Sequence, residues 1–409
     1  MAPYVIVGNG VAAVNAVEAI RARGERTPIS VLTDQECAFY SRPSLYYIML
    51  GRIELADAWG RPQDFYERNG VELRCGTTVT RVDAQAHRME IEGGESLEYS
   101  RLLLATGTRG RMLAWAERPL PGIITLNTLT DVTNIIELLG RARGAVVVGG
   151  GLTSIELVEV CRHQGVPVTF VMRGDGFFDV QLDGYEAELI HQRLRMGGVT
   201  IRTQTEIADL RDEDGRVAAA ITTSGEEIPC DVAACTVGVA ANNELAAAAG
   251  GETDRGIVVD DKMRATLPDV YAAGDCAQVR GADGRPMRSE MLWYVAAAMG
   301  RVAGANMAGG EEAYRRRVFL NVAEFCGLDF CGVGSIVPGQ PEVEEVVVRA
   351  AGAEGSFRLV LRDGVLIGAC FVGDTRLADI ARGLIAEGVR PRDLGWDHPV
   401  RRLMERGSP

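Results

Sequence analysis

The residues whose spacing most plainly predicts chemistry are two glycine-rich turns. Gly8-Asn9-Gly10-Val11-Ala12-Ala13 follows the apolar run Tyr4-Val5-Ile6-Val7, and Gly149-Gly150-Gly151-Leu152-Thr153-Ser154 follows Ala145-Val146-Val147-Val148. Each reads as a buried strand, a tight turn and the start of a helix. Such a turn lets backbone N–H groups and a helix N-terminus hold a pyrophosphate. One glycine turn between strand and helix is commonplace. Two, each in this context, predict two bound dinucleotides, an arrangement suited to moving electrons between them. Asp34, just past the next apolar strand at Ile29–Thr33, is a candidate acceptor for a ribose diol; the plain alternative is a loop aspartate.

The elements that must position these turns form repeated strand–helix–strand units. Strands are expected at Tyr4–Val7, Ile29–Thr33 and Leu102–Ala105, with a helix from Val11 to Arg23. A second set comprises a helix at Val132–Leu139, strands at Ala145–Val148, Val168–Met172 and Val199–Thr203, and an amphipathic helix at Gly184–Met196. Near-continuous apolar strands of this kind belong to parallel sheets covered on both faces, so the fold class is α/β. Thr77–Tyr99 alternates like a hairpin turning at Gly93-Gly94. A strand at Val270–Ala273 ends in Gly274-Asp275, and a long helix follows from Met291 to Met307. Beyond Ala313 the texture changes to antiparallel strands at Val318–Phe325, Val343–Ala350, Phe357–Arg362 and Val365–Phe371, then a helix at Ala378–Glu387. Asp363-Gly364 supplies a hairpin turn there. This last segment has no glycine fingerprint and reads as an α+β domain with another task.

Composition removes several classes. The 409 residues suit two or three domains. A net charge of −13 argues against nucleic-acid binding, which needs a positive surface. No apolar stretch is long enough to span a membrane, so a cytoplasmic chain is expected. The nine cysteines are then expected to be thiols. Two pairs, Cys230/Cys235 and Cys326/Cys331, have the C-x4-C spacing of a redox disulfide. Neither follows the first glycine turn, and both read as packing residues. His87, His163, His191 and His398 show no metal-ligand spacing.

The order of these motifs resembles the two-dinucleotide flavoprotein reductases of the pyridine nucleotide–disulfide oxidoreductase superfamily. Within it the chain is similar to the branch without a redox disulfide: ferredoxin and rubredoxin reductases, the flavin portion of nitrite reductases, and the apoptosis-inducing-factor-like proteins. The resemblance implies FAD on residues 1–112 and 244–312, a nicotinamide domain at 113–243 inserted between them, and an interface domain at 313–409. It places FAD on Gly8, Gly10 and Ala13, its ribose on Asp34, and its adenine by Val79. Arg42 and Pro43 lie in the loop Tyr40–Tyr47 beside the cofactor, Arg42 being otherwise a solvated arginine. Ala105, Thr106 and Gly107 match the crossover motif, with Arg109 near the flavin. Gly274 and Asp275 match the second FAD motif. Leu292 and Trp293 open the helix that aims N–H groups at the flavin; a core position for Trp293 is the alternative.

For the nicotinamide nucleotide the resemblance uses Gly149, Gly151, Ser154 and Gly238, with Glu156 and Asn242 near the flavin–nicotinamide junction. Met172 stands where an acidic residue would favour NADH, and Arg173 follows it. This tilts the expectation towards NADPH, against Asp175 and Asp179. Tyr47 stands where ferredoxin reductases carry a lysine paired with the counterpart of Glu156, so these two residues are the candidates for tuning the reaction. Cys37 lies too early in the loop for the cysteine of coenzyme A disulfide reductases. The implied activity is hydride transfer from NAD(P)H to FAD, then electron transfer to a ferredoxin- or rubredoxin-type carrier or to a larger redox complex. Arg280, Arg285, Arg288 and Arg315–Arg317 are candidates for a carrier-binding patch, or plain solvated arginines. An NAD(P)H oxidase or small-molecule reductase, and a redox-sensing interaction protein, are the alternatives. A homodimer is an open arrangement.

Overall fold

The computed structural model describes residues 2–349 and 355–406. The chain forms two compact units, Met1–Gly110 with Val239–Arg315, and Arg111–Gly238 with Arg316–Pro409.

The first unit is built on a five-stranded sheet in the spatial order Val270–Ala272, Arg101–Leu104, Tyr4–Val7, Ile29–Leu32, Val71–Arg74. Every pairing in it is parallel. All four residues of Tyr4–Val7 and of Ile29–Leu32 are buried, as expected of strands covered on both faces. The helix Val11–Ala22 packs backbone-to-backbone on the helix Trp293–Met307. A Cβ at Gly300 would overlap the Ala12 carbonyl, and one at Gly304 the Ala16 carbonyl. Only glycine permits this approach. The stretch expected as one hairpin is instead three antiparallel strands, Val79–Asp83, Arg88–Ile91 and Ser96–Glu98. The extra turn falls at His87, whose φ of 49° is left-handed. Residue alternation runs through such a turn without a break, which hides it in the sequence.

The second unit has its own parallel sheet, ordered Thr200–Arg202, Val168–Val171, Ala145–Val148, Val232–Cys235, Ile123–Ile124. The helix Leu129–Leu139 starts at Thr128, whose side chain accepts from the Asp131 N–H while Asp131 caps Thr128 in return. Gly184–Met196 is a helix with the same reciprocal cap between Asp183 and Glu186. Residues 316–406 add a five-stranded antiparallel sheet, ordered Leu320–Phe325, Leu328–Gly334, Val365–Val372, Ser356–Arg362, Glu344–Arg349. Ala350, expected in the last of these strands, lies outside the described residues. The helices Ala378–Glu387 and Pro399–Arg406 pack on this sheet. Strand Leu328–Gly334 and the hairpin Ile207–Glu213/Arg216–Thr222 were not legible in the sequence pattern. Among the described residues no helix is long and apolar enough to cross a membrane.

Candidate functional site

The first glycine turn sits at the carboxyl end of its sheet, where an open α/β sheet binds its ligand. Gly8 has φ +102°, and a Cβ there would overlap the Ala105 carbonyl oxygen. Gly10 is the N-cap of the helix Val11–Ala22 and nothing lies where its Cβ would be, so the space above it is open. Ala13 is wholly buried, which closes the helix onto the sheet. Asn9 adds a feature the sequence reading passed over. Its Oδ1 accepts from the Tyr66 hydroxyl at 2.8 Å, and that hydroxyl accepts from the Phe39 N–H at 3.1 Å. This fixes the amide, and its Nδ2 is buried with no partner. An unpaired buried donor is costly unless a ligand satisfies it. The asparagine inside the turn was the available signal.

Ala105, Thr106 and Gly274 lie against this turn and its helix start. Ala105 donates its N–H to Val7 at 2.8 Å. Thr106 and Asn242 are tied twice: Thr106 Oγ1 donates to the Asn242 carbonyl at 2.6 Å, and Asn242 Nδ2 donates to the Thr106 carbonyl at 2.9 Å. Arg42 Nη1 lies 3.8 Å from where a Gly107 Cβ would be. Gly274 has φ +84° beside Ala12. Burial raises the carboxyl pKa of Asp275, and the Arg42 charge opposes the shift. Thr77 donates to the Thr33 carbonyl at 2.7 Å, which brings the start of strand Val79–Asp83 beside the end of the strand before Asp34. Asp34 is exposed and Val79 buried. Pro43 caps the helix Ser44–Met49, on which Tyr47 is 41% exposed. No side chain caps the helix that begins after Leu292, and Trp293 is 45% exposed, which removes the core reading for it. Arg109 donates to Asn242 Oδ1 at 2.8 Å and pairs with Glu244 at 2.6 Å. The open glycine turn, the orphaned Asn9 donor and the half-buried Asp275 carboxyl together fit a flavin dinucleotide.

The second turn is held differently. Gly149 has φ +148°, and Gly151 caps the helix Leu152–His163 with open space at its Cβ position. Ser154 replaces the third glycine and is wholly buried. Its Oγ accepts from the Gly151 N–H at 3.3 Å and from Thr236 Oγ1 at 2.9 Å. The hydroxyl thus bonds across the helix–strand contact that a glycine would leave empty. Glu156 follows on the same helix, half-buried; burial, with Glu159 nearby, pushes its carboxyl up to about 7. Met172 is buried, so it is no ribose acceptor, whereas Arg173 is exposed. Asp175 accepts from Gln204 Nε2 at 2.6 Å. Gly238 has φ +103° and accepts at its carbonyl from the Arg111 N–H. Open turn and exposed Arg173 fit a nicotinamide dinucleotide.

Three of the four C-x4-C cysteines fit packing, and Cys326 is half-buried with its Sγ accepting from Arg162 Nη1 at 3.6 Å. Cys230, Cys235 and Cys331 are buried free thiols, and burial pushes Cys230 up to about 12 and Cys331 up to about 11. Such thiols are poor nucleophiles.

Fold and turns define an oxidoreductase built to hold two dinucleotides. The pyridine nucleotide-disulphide oxidoreductase profile matches residues 2–300, and the chain belongs to that family. The NADH-dependent phenylglyoxylate dehydrogenase subunit epsilon of Aromatoleum evansii is 32% identical over 89% of this chain and 87% of its own length. The ferredoxin–NAD(+) reductase component of the anthranilate 1,2-dioxygenase system of Burkholderia cepacia is 31% identical over 95% of each chain. Rhodocoxin reductase of Rhodococcus erythropolis is 31% identical over 67% of this chain, a match that spans 64% of that relative. The solved covalent putidaredoxin reductase–putidaredoxin complex superposes with a TM-score of 0.88 over 99% of this chain and 98% of that one, at 24% identity. The last comparison shows the fold: α/β with two parallel sheets and a C-terminal α+β segment.

Proposed function

We propose that this chain is a flavin-linked NAD(P)H reductase that delivers electrons to a small carrier protein of the ferredoxin or rubredoxin kind. FAD would supply the electron-accepting ring and NAD(P)H the hydride. The residues hold and orient. Gly8, Gly10 and Asn9 receive the flavin pyrophosphate, Asp34 the adenosine ribose, and Asp275 the ribityl chain. The uncapped helix start at Leu292–Trp293 offers N–H groups that favour negative charge. Gly149, Gly151 and the Leu152–His163 helix start receive the second pyrophosphate. Glu156 and Tyr47 are the candidate positioning groups, and no side chain is required as acid or base for hydride transfer. The doubling of the glycine turn carries the reading. The ferredoxin reductase component among the relatives supports the carrier, and the likeness to a dehydrogenase subunit supports a second reading, in which the acceptor is a subunit of a larger complex. A cytoplasmic setting is part of both.

The nucleotide preference is the finer point. Met172 and Arg173 lean to NADPH, while the relatives' names print NADH or NAD(+). We infer that both nucleotides reduce the flavin and that Arg173 serves the 2′-phosphate. Anaerobic rapid mixing of the flavoprotein with each nucleotide tests this. Bleaching of the flavin band by both is expected, and Arg173→Ala should weaken NADPH by about tenfold while sparing NADH. Reduced protein should then pass electrons to ferredoxin or rubredoxin. No bleaching by either nucleotide would overturn the reading.

A further inference from the structure

The loop after strand Val168–Val171 carries the ribose-recognition position, and it is gripped from two sides. On one side it lies on the second glycine turn. Phe178, at a left-handed φ of 54°, donates its N–H to the Gly150 carbonyl at 2.9 Å. Phe177 donates its N–H to His191 Nε2 at 3.1 Å. On the other side it meets the C-terminal sheet. The Phe177 ring lies edge-on to Phe325 at 5.0 Å, and Phe178 edge-on to Phe330 at 5.9 Å. Arg358 is wholly buried and donates to the Gln181 carbonyl at 2.7 Å, the Ile336 carbonyl at 2.9 Å and Glu186 Oε2 at 2.9 Å. Arg349 pairs with Asp183 at 2.5 Å.

A buried ion pair is an inefficient way to gain stability, because desolvation cancels most of the attraction. A pair of apolar side chains would fill the same volume at lower cost. What Arg358 supplies is direction: its planar fork meets two backbone carbonyls and a carboxylate from three segments, so each is fixed relative to the others. Two of those segments, Gln181 and Glu186, bracket the capped start of helix Gly184–Met196. Between that anchor and the Phe178–Gly150 bond, residues 178–183 form a short strap with both ends tied.

We propose that the C-terminal sheet sets the affinity of the nicotinamide-nucleotide site, with Arg358 as the positioning residue. Through Gln181 and Glu186 it holds the loop at 173–178 against Gly150, in the conformation that receives the adenosine ribose. This rests on the reading of Gly149–Ser154 as the nucleotide turn.

The test uses the full-length flavoprotein and two variants. The double variant Arg358→Met with Glu186→Gln removes both charges and so strands neither. Arg349→Ala removes the outer pair with Asp183, together with its bond to Ser356 Oγ and its contact over the Tyr185 ring, and leaves Arg358 in place. Flavin reduction rate is measured against NADH and NADPH concentration. The apparent Kd should rise about tenfold in the double variant and about threefold in Arg349→Ala, with the limiting rate within about twofold of the parent and an unchanged flavin spectrum. A purely structural pair would lower the melting temperature and leave Kd alone. A Kd within about twofold of the parent in both variants therefore overturns the proposal. If the double variant loses its flavin, Arg349→Ala decides by the same criterion. Failure of the parent itself to be reduced by either nucleotide would instead overturn the underlying assignment of the turn.

Discussion

The two glycine turns have nearly the same local pattern and are secured by different physics. Around the first, the supports are backbone and small side chains. Gly8 is pressed on Ala105, Ala13 is wholly buried, and Gly300 and Gly304 let one helix lie directly on another. Around the second, the supports are polar. The Ser154 hydroxyl bonds Thr236 and Gly151, and the neighbouring loop is tied by His191, Arg358 and Glu186. Close backbone packing tolerates no added atom and is indifferent to pH. A buried polar network tolerates shape changes better and responds to every change of proton or charge. A glycine fingerprint thus specifies a turn without specifying what holds it.

The sharpest way to break this contrast is Gly8→Ala. Its φ and the Ala105 carbonyl both forbid the methyl group, so we expect a loss of about 3 kcal/mol and release of bound flavin, read by chemical unfolding and by absorbance after desalting. Flavin retention at parental stability would show that the first turn is not backbone-limited. Exchanging the third positions gives the next effect. Ala13→Ser puts a hydroxyl at a wholly buried position of the apolar core and should cost about 2 kcal/mol; Ser154→Ala removes the hydroxyl's bonds with Gly151 and Thr236 but leaves Thr236 Oγ1 donating to the Val148 carbonyl at 2.8 Å, and should cost about 1 kcal/mol. Equal costs would erase the distinction.

The smallest effect is a pH response centred on the second turn. Burial pushes the His191 imidazole below its usual value, with Arg195 adding and Glu188 opposing. Its folded pKa lies below the unfolded one, so its contribution is complete above about pH 6.5 and is lost as pH falls through the folded value. Protonation also removes the acceptor for the Phe177 N–H. Glu156 works in the other direction. Its folded value of about 7 exceeds the ordinary 4.5, so its contribution is complete below 4.5 and is lost as pH rises through about 7. Urea unfolding of the nucleotide-free protein across this range should show both limbs, with Glu156→Gln flattening the upper one. Persistence of the upper limb in that variant would assign it to another group.

Much of the fold was legible because the apolar runs are unambiguous. Tyr4–Val7, Ala145–Val148 and the helix Gly184–Met196 appear where the pattern puts them. The Thr77–Tyr99 hairpin was miscounted because a left-handed turn at His87 leaves alternation intact. At the site, the glycines and Ser154 stand out by their spacing, and Asp275 only through the resemblance of Gly274-Asp275 to the family's second FAD motif. Asn9 was marked only by its place inside the turn, and Tyr66 and Arg358 not at all. Asn9 and Tyr66 are 57 residues apart and Arg358 and Glu186 are 172 apart, and nothing local marks an arginine in a strand as buried.

The sequence by itself determined the two turns, the strands that feed them and the helices that leave them. Each is a local matter of apolar runs, glycine freedom and capping within a few residues. Tertiary structure alone decided which atoms remain unsatisfied and which charges are paired. It left Asn9 Nδ2 without a partner, paired Arg109 with Glu244, and seated Arg358 on Glu186 at the start of helix Gly184–Met196. Those outcomes depend on desolvation and on partners brought together across the chain, and neither quantity is written in any short stretch of residues.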